Sequence, residues 1–75
     1  MEEKKSEIEE VIELIEAKRI NELHKYLENI NSADFPSILE NIDDEKIIMV
    51  YRLLSKEKAA EVFVELEHED QEKLI

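Results

Sequence analysis

The sequence predicts an all-α fold in which short helical hairpins stack as a right-handed superhelix, with about five to six helices present. Three observations predict it. The chain has no Gly and one Pro, is 41% charged, and has only Tyr26, Phe35, Tyr51 and Phe63 as aromatics; such a mix favours helices and offers little to a sheet. Ile30, Ile42, Leu54 and Leu66 recur every twelve residues, each followed by a residue suited to a helix start: Asn31, Asp43, Ser55 and Glu67. Three places earlier stand Leu27, Leu39, Tyr51 and Phe63, and seven places earlier Leu23, Phe35, Ile47 and Ala59. Side chains at i, i+4 and i+7 share one helix face, so each unit reads as a short amphipathic helix ended by the next cap. Two such helices make a hairpin of about 24 residues, and stacked hairpins give a solenoid in which each unit touches mainly its neighbours.

The first helix is expected from near Ser6 to Ala17, with Ile8, Val11, Ile12 and Ile15 inward and an acidic second face. Lys18 and Arg19 mark a junction, because the apolar phase restarts at Ile20 and continues through Leu23, Leu27 and Ile30. The third helix carries Phe35, Ile38, Leu39 and Ile42; Pro36 is tolerated only in a first turn, which leaves Asp34 or Ser32 as its cap. The fourth begins near Asp43 with Ile47, Ile48, Val50, Tyr51 and Leu54, a wide apolar face that predicts the most buried helix. The fifth begins at Ser55 with Ala59, Val62, Phe63 and Leu66, and Ala59 and Ala60 permit a close helix neighbour. A sixth opens at Glu67 and is cut short, so the chain, read as a single domain over residues 1–75, is expected to be truncated at its C-terminal end. Exposed Leu74 and Ile75 would seek cover there.

A chain of 75 residues has room for one small domain of modest stability. The absence of Cys removes disulfides and thiolate chemistry and fits a reducing compartment. No apolar run approaches the roughly 20 residues of a membrane span, and the N-terminus lacks a signal-peptide core. With 10 basic and 21 acidic residues the net charge is −11, which repels a phosphate backbone and makes nucleic acid a poor partner. Ser6, Ser32, Ser37 and Ser55 stand mostly at helix starts with no nucleophile elbow, and there is no Gly-rich phosphate loop, so no enzyme is indicated. The runs Asp43-Asp44-Glu45 and Glu67-His68-Glu69-Asp70 read as acids favouring helix N-termini, since neither has the spacing of an EF-hand or a zinc site. His24 and His68 lie far apart in the sequence and propose no site.

The segment "HKYLENINSADFPSILENIDDEKIIMVYRLLSKEKAAEVFVELEHEDQEKL", with its "KAAEVF" core and its ladder of helix starts, resembles the cytoplasmic N-terminal domain of MgtE-type magnesium transporters and channels. The resemblance extends over residues 20–75. It departs from the family at Lys18-Arg19, where a Gly-Asp turn is frequent, and at Ser32, Asp44, Lys56 and His68, where prolines are frequent. The resemblance implies an armadillo-like superhelix on the cytoplasmic side of the membrane, beside the CBS domains of the same transporter and ahead of its pore, in a protein that is a homodimer when full-length. It further implies that Mg²⁺ shared between these acidic surfaces favours a closed gate, and that Glu61, in "AAEV", matches a carboxylate that helps hold the ion. Hard Mg²⁺ prefers carboxylate oxygens and water, and can join two faces that repel each other without it. Binding by this segment alone is then expected to be weak. Related repeats in the flagellar motor switch protein, or a general helical interaction module, are the alternatives that periodicity leaves open.

Overall fold

In the structure, a computed structural model that describes residues 6–75, helix starts fall on a twelve-residue grid. Six helices follow in chain order: α1 (Glu7–Glu16), α2 (Ile20–Glu28), α3 (Phe35–Leu39), α4 (Asp44–Leu53), α5 (Lys56–Glu65) and α6 (His68–Lys73), with a 3-10 turn at Ser32–Asp34 leading into α3. No strand occurs among the described residues, so the chain adopts the all-α class its composition predicts. The residues that open these elements from α2 onward, Arg19, Asn31, Asp43, Ser55 and Glu67, keep the twelve-residue interval. The repeat therefore reaches one unit further upstream than the aliphatic series does. Val11 and Ile15 occupy the slots of Leu23 and Leu27, and both are buried.

Three of the seven described helix openings use a side chain. Ser6 accepts from the Glu9 N–H at 3.1 Å, Asn31 from Ala33 at 3.0 Å and Ser55 from Lys58 at 3.2 Å. Arg19, Asp34, Asp43 and Glu67 open helices without a side-chain bond. The residue that opens α3 is Asp34, one of the two expected, without a side-chain bond and with Pro36 in the first turn, while Asn31 caps the 3-10 turn that leads into it.

The junction after α1 shows why the aliphatic ladder breaks there. Arg19 N–H bonds to Leu14 O and Lys18 N–H to Ile15 O, both at 3.1 Å, the paired bonds of a Schellman turn. That turn needs a left-handed residue, and Lys18 supplies it with φ 58°. The slot that holds Ile30 or Ile42 in later units holds an exposed lysine here.

Packing follows the ladder with local corrections. Val11, Leu23, Leu27, Phe35, Ile38, Val50 and Val62 have almost no exposure and belong to one continuous cluster. In α1 Leu14 is buried where Ile12 is only half-buried, and Ile20 is 40% exposed because the Schellman turn brings α2 in with its first turn on the outside. The most buried helix is α3, with Phe35, Ile38 and Leu39 inside, and not α4, whose Ile48 is 37% exposed. The short α3 lies between α1 and α5 and is covered from both sides, whereas α4 turns part of its wide apolar face to solvent. In α5, Ala59 is half-buried and Ala60 is exposed, so only one of the two alanines meets a neighbour. The described chain measures 40 × 23 × 22 Å.

Two polar ties show the repeat acting in three dimensions. Tyr51 O–H donates to Ala59 O at 3.2 Å, and Gln71 Nε2 donates to Phe63 O at 2.8 Å. Residues 63 and 71 are the twelve-residue counterparts of 51 and 59, so one pair of slots is bonded twice with donor and acceptor exchanged.

Left-handed backbone costs a non-glycine residue about 1–2 kcal/mol, part of which a glycine returns as unfolded-state entropy. Lys18→Gly is therefore expected to stabilise the fold by about 0.5–1 kcal/mol and to raise the thermal midpoint by a few degrees. Circular dichroism melts check this; a lower midpoint would mean that Lys18 contributes more than its backbone conformation.

Candidate functional site

Glu61, the residue to which the family resemblance points, lies on α5. This helix is phased by its Ser55 cap and by Val62 and Leu66, which point into the core. Its Lys58 is also turned inward: the ammonium donates to Ile30 O and lies 5.8 Å from the centre of the Phe35 ring. The exposed residues of α5 are Lys56, Glu57, Ala60, Glu61, Val64 and Glu65.

Glu61 is exposed, and its Oε1 accepts a 3.0 Å hydrogen bond from Ser32 Oγ, in the 3-10 turn 29 residues earlier. Among the described residues no basic side chain pairs with it. The repeat explains the contact. Twelve residues on, the same two slots hold Asp44 and Lys73, joined by a 3.2 Å ion pair. One unit thus ties its opening turn to the second helix after it through a hydroxyl and a carboxylate, and the next through opposite charges. Ser32 and Glu61 offer hard oxygen donors of the kind Mg²⁺ takes, but only a fraction of the six that it requires. Among the described residues no three His, Cys, Asp or Glu side chains converge to hold a metal.

The acidic runs have other employment. Lys73 Nζ reaches Asp44 at 3.2 Å and Asp70 at 3.6 Å, and these carboxylates, Asp44 foremost, raise the lysine pKa above its ordinary value. His68 Nε2 lies 3.1 Å from Glu72, one turn along α6. Asp43 and Glu67 are helix-opening residues.

A second polar seam, not legible in the sequence, joins α2 to the turn between α4 and α5. Glu28 accepts from both the backbone N–H and the hydroxyl of Ser55, each at 2.9 Å. One turn earlier, His24 Nδ1 bonds to Leu53 O; a carbonyl only accepts, so this nitrogen carries the proton. The Ser55 N–H bond, ahead of the smaller opposing effect of burial, holds the Glu28 carboxyl below its ordinary value. On the other side of α2, burial and then the charges of Glu7 and Glu10 raise the Tyr26 phenol.

Comparison with known proteins gives one match. The family model described as the MgtE intracellular N domain matches residues 30–75, the stretch from the end of the α2 unit through α6. No curated protein and no solved structure matches the chain. Among the described residues no helix is long and apolar enough to cross a membrane.

Because folding lowers the Glu28 pKa, the stabilisation from its charge is present above the ordinary carboxylate value of 4.5 and is lost as pH falls through the folded value. Glu28→Gln is expected to lose about 0.5–1 kcal/mol at pH 7, the range that solvent screening leaves to a partly exposed charge. Urea midpoints of the two proteins should converge as pH falls below that range; a gap that persists in acid would assign the effect to shape rather than charge.

Proposed function

The chain belongs to the MgtE intracellular N domain family, and from that membership we propose that it senses Mg²⁺ for the gate of a magnesium transporter. A domain of such a transporter is not an enzyme class in itself, and the chemistry here is ion binding between surfaces. In this reading the acidic outer face of α5 meets the CBS modules of the same polypeptide, within a homodimer on the cytoplasmic side of the membrane. Mg²⁺ held between the two faces draws them together and closes the pore. When the ion leaves, the faces repel.

The observation that carries the reading is Glu61 itself. Its carboxylate is exposed and has a neutral hydroxyl as hydrogen-bond partner, on a chain of net charge −11. Ser32 holds one oxygen without neutralising it, so the charge stays available to a cation from outside. Two unit charges 4 Å apart interact by about 4 kcal/mol at the effective dielectric of a protein surface, so an ion between two such faces has enough leverage to set their separation. The family match spans α3 to α6 and includes Glu61, which favours the transporter reading over the motor-switch repeat that periodicity alone allows.

In a full-length transporter carrying this domain, Glu61→Gln is expected to move the Mg²⁺ midpoint for closure upward by about three- to tenfold, equivalent to roughly 0.7–1.4 kcal/mol of coupling. Gating current or protease protection against Mg²⁺ reads the shift. Ser32→Ala removes the tether but keeps the charge, and should leave the midpoint within about twofold; equal shifts in both variants would make the contact structural. The isolated chain should bind Mg²⁺ only in the millimolar range by calorimetry, since one carboxylate supplies too little of the octahedral shell. Micromolar binding would contradict a shared site.

A further inference from the structure

The seam between α2 and the head of α5 continues into the Ser32–Glu61 contact, and together they tie two short stretches of chain at four places. His24 Nδ1 donates to Leu53 O, Ser55 gives its N–H and its hydroxyl to Glu28 at 2.9 Å each, Lys58 Nζ donates to Ile30 O, and Ser32 Oγ donates to Glu61 at 3.0 Å. Residues 24–32 are thus laced to residues 53–61, every tie spanning 27 to 29 positions.

The twelve-residue register gives each tie a counterpart upstream and downstream, and almost none of these is made. The slot of His24 passes to Ile12 and to Pro36, neither of which has a side-chain donor. Glu28 and Ser55 become Glu16 and Asp43 upstream and Glu40 and Glu67 downstream, carboxylates throughout, with nothing to donate. Downstream, Lys58 becomes Asp70 and the carbonyl slot passes to Ile42, so acceptor is matched with acceptor. Among the described residues only the counterpart of Ser32–Glu61, Asp44–Lys73, is bonded. A complete seam is therefore a property of the unit that carries Glu61 and not of the repeat.

We propose that this seam is the mount of Glu61, with Glu28 as its positioning residue, and, resting on the transporter reading, that Glu28 thereby tunes the Mg²⁺ concentration at which the gate closes. Ser55 transmits the hold. Its hydroxyl accepts the Lys58 N–H at 3.2 Å as the cap of α5 while donating its own proton to Glu28, and a hydroxyl that donates to a carboxylate is the stronger acceptor. Glu61 stands six residues after Ser55, about 9 Å along a helix that rises 1.5 Å per residue, so fixing the first turn fixes where the carboxylate stands. Ser32 orients only the side chain. Its loss leaves α5 in place, whereas loss of Glu28 frees the start of the helix and moves the carboxylate away from the near-octahedral geometry that Mg²⁺ demands.

The test compares Glu28→Ala with Glu40→Ala, which deletes the same side chain and charge from the counterpart slot one unit on. In NMR spectra of the isotope-labelled chain, Glu28→Ala is expected to move the side-chain resonances of Ser32 and Glu61 and to speed amide exchange at Lys58 by about threefold or more. Glu40→Ala should leave all three as they are. In a full-length transporter carrying this domain, Glu28→Ala should raise the Mg²⁺ midpoint for closure by about threefold, and the shift should vanish when Glu61 is already Gln, a dependence that a general loss of stability would not show. Unmoved Glu61 resonances in Glu28→Ala, an equal effect of Glu40→Ala, or a midpoint shift that persists in the Glu61→Gln background would overturn the proposal. If Glu61→Gln itself leaves the midpoint where it was while Glu28→Ala still moves the Glu61 resonances, the transporter reading fails and the mount of Glu61 stands.

Discussion

No described helix of this protein exceeds ten residues, and isolated helices below about 12–15 residues are marginal in water even for favourable sequences. The burial of the aliphatic ladder therefore holds every other feature in place. Each core side chain removed from water contributes on the order of 1.5–3 kcal/mol before the cost of ordering it, and Val11, Leu23, Phe35, Val50 and Val62 draw five successive units into one cluster. A twelve-residue spacing suits this constraint. It is long enough for two to three helical turns and short enough that the next cap arrives before the apolar face drifts away from its neighbour.

That constraint explains which parts of the fold were legible in the sequence. Helix starts at Asp43, Ser55 and Glu67 and the inward phase of Leu23, Leu27, Phe35 and Leu39 follow from spacing alone. The rank order of burial does not, because it depends on what covers each face: α3 has only five residues yet is enclosed by α1 and α5, while the wider apolar face of α4 is partly uncovered. The upstream unit was hidden by a single substitution in the ladder. Lys18 occupies an aliphatic slot, and only its positive φ and the two bonds around it show that the chain is making a helix-terminating turn rather than leaving the repeat.

For the candidate site, the family resemblance offers one residue and says nothing of its surroundings. Glu61 is singled out only by the family resemblance, and its partner Ser32 is 29 residues away, a separation set by how the units pack on one another. The same holds for Glu28 with Ser55 and His24 with Leu53. These contacts give the acidic surface a texture that net charge conceals. Some carboxylates are spent on internal donors, as at Glu28 and Asp44, while Glu61 keeps its charge beside a neutral hydroxyl.

The short reach of these ties bears on how the chain acquires its shape. Among the described residues the polar tethers between units span no more than 29 positions, so closing them requires little loop entropy. Low contact order of this kind goes with folding in microseconds to milliseconds. Each hairpin can also settle on the one before it as the chain leaves the ribosome. In a chain built of such units, folding can nucleate in any one of them and propagate to its neighbours.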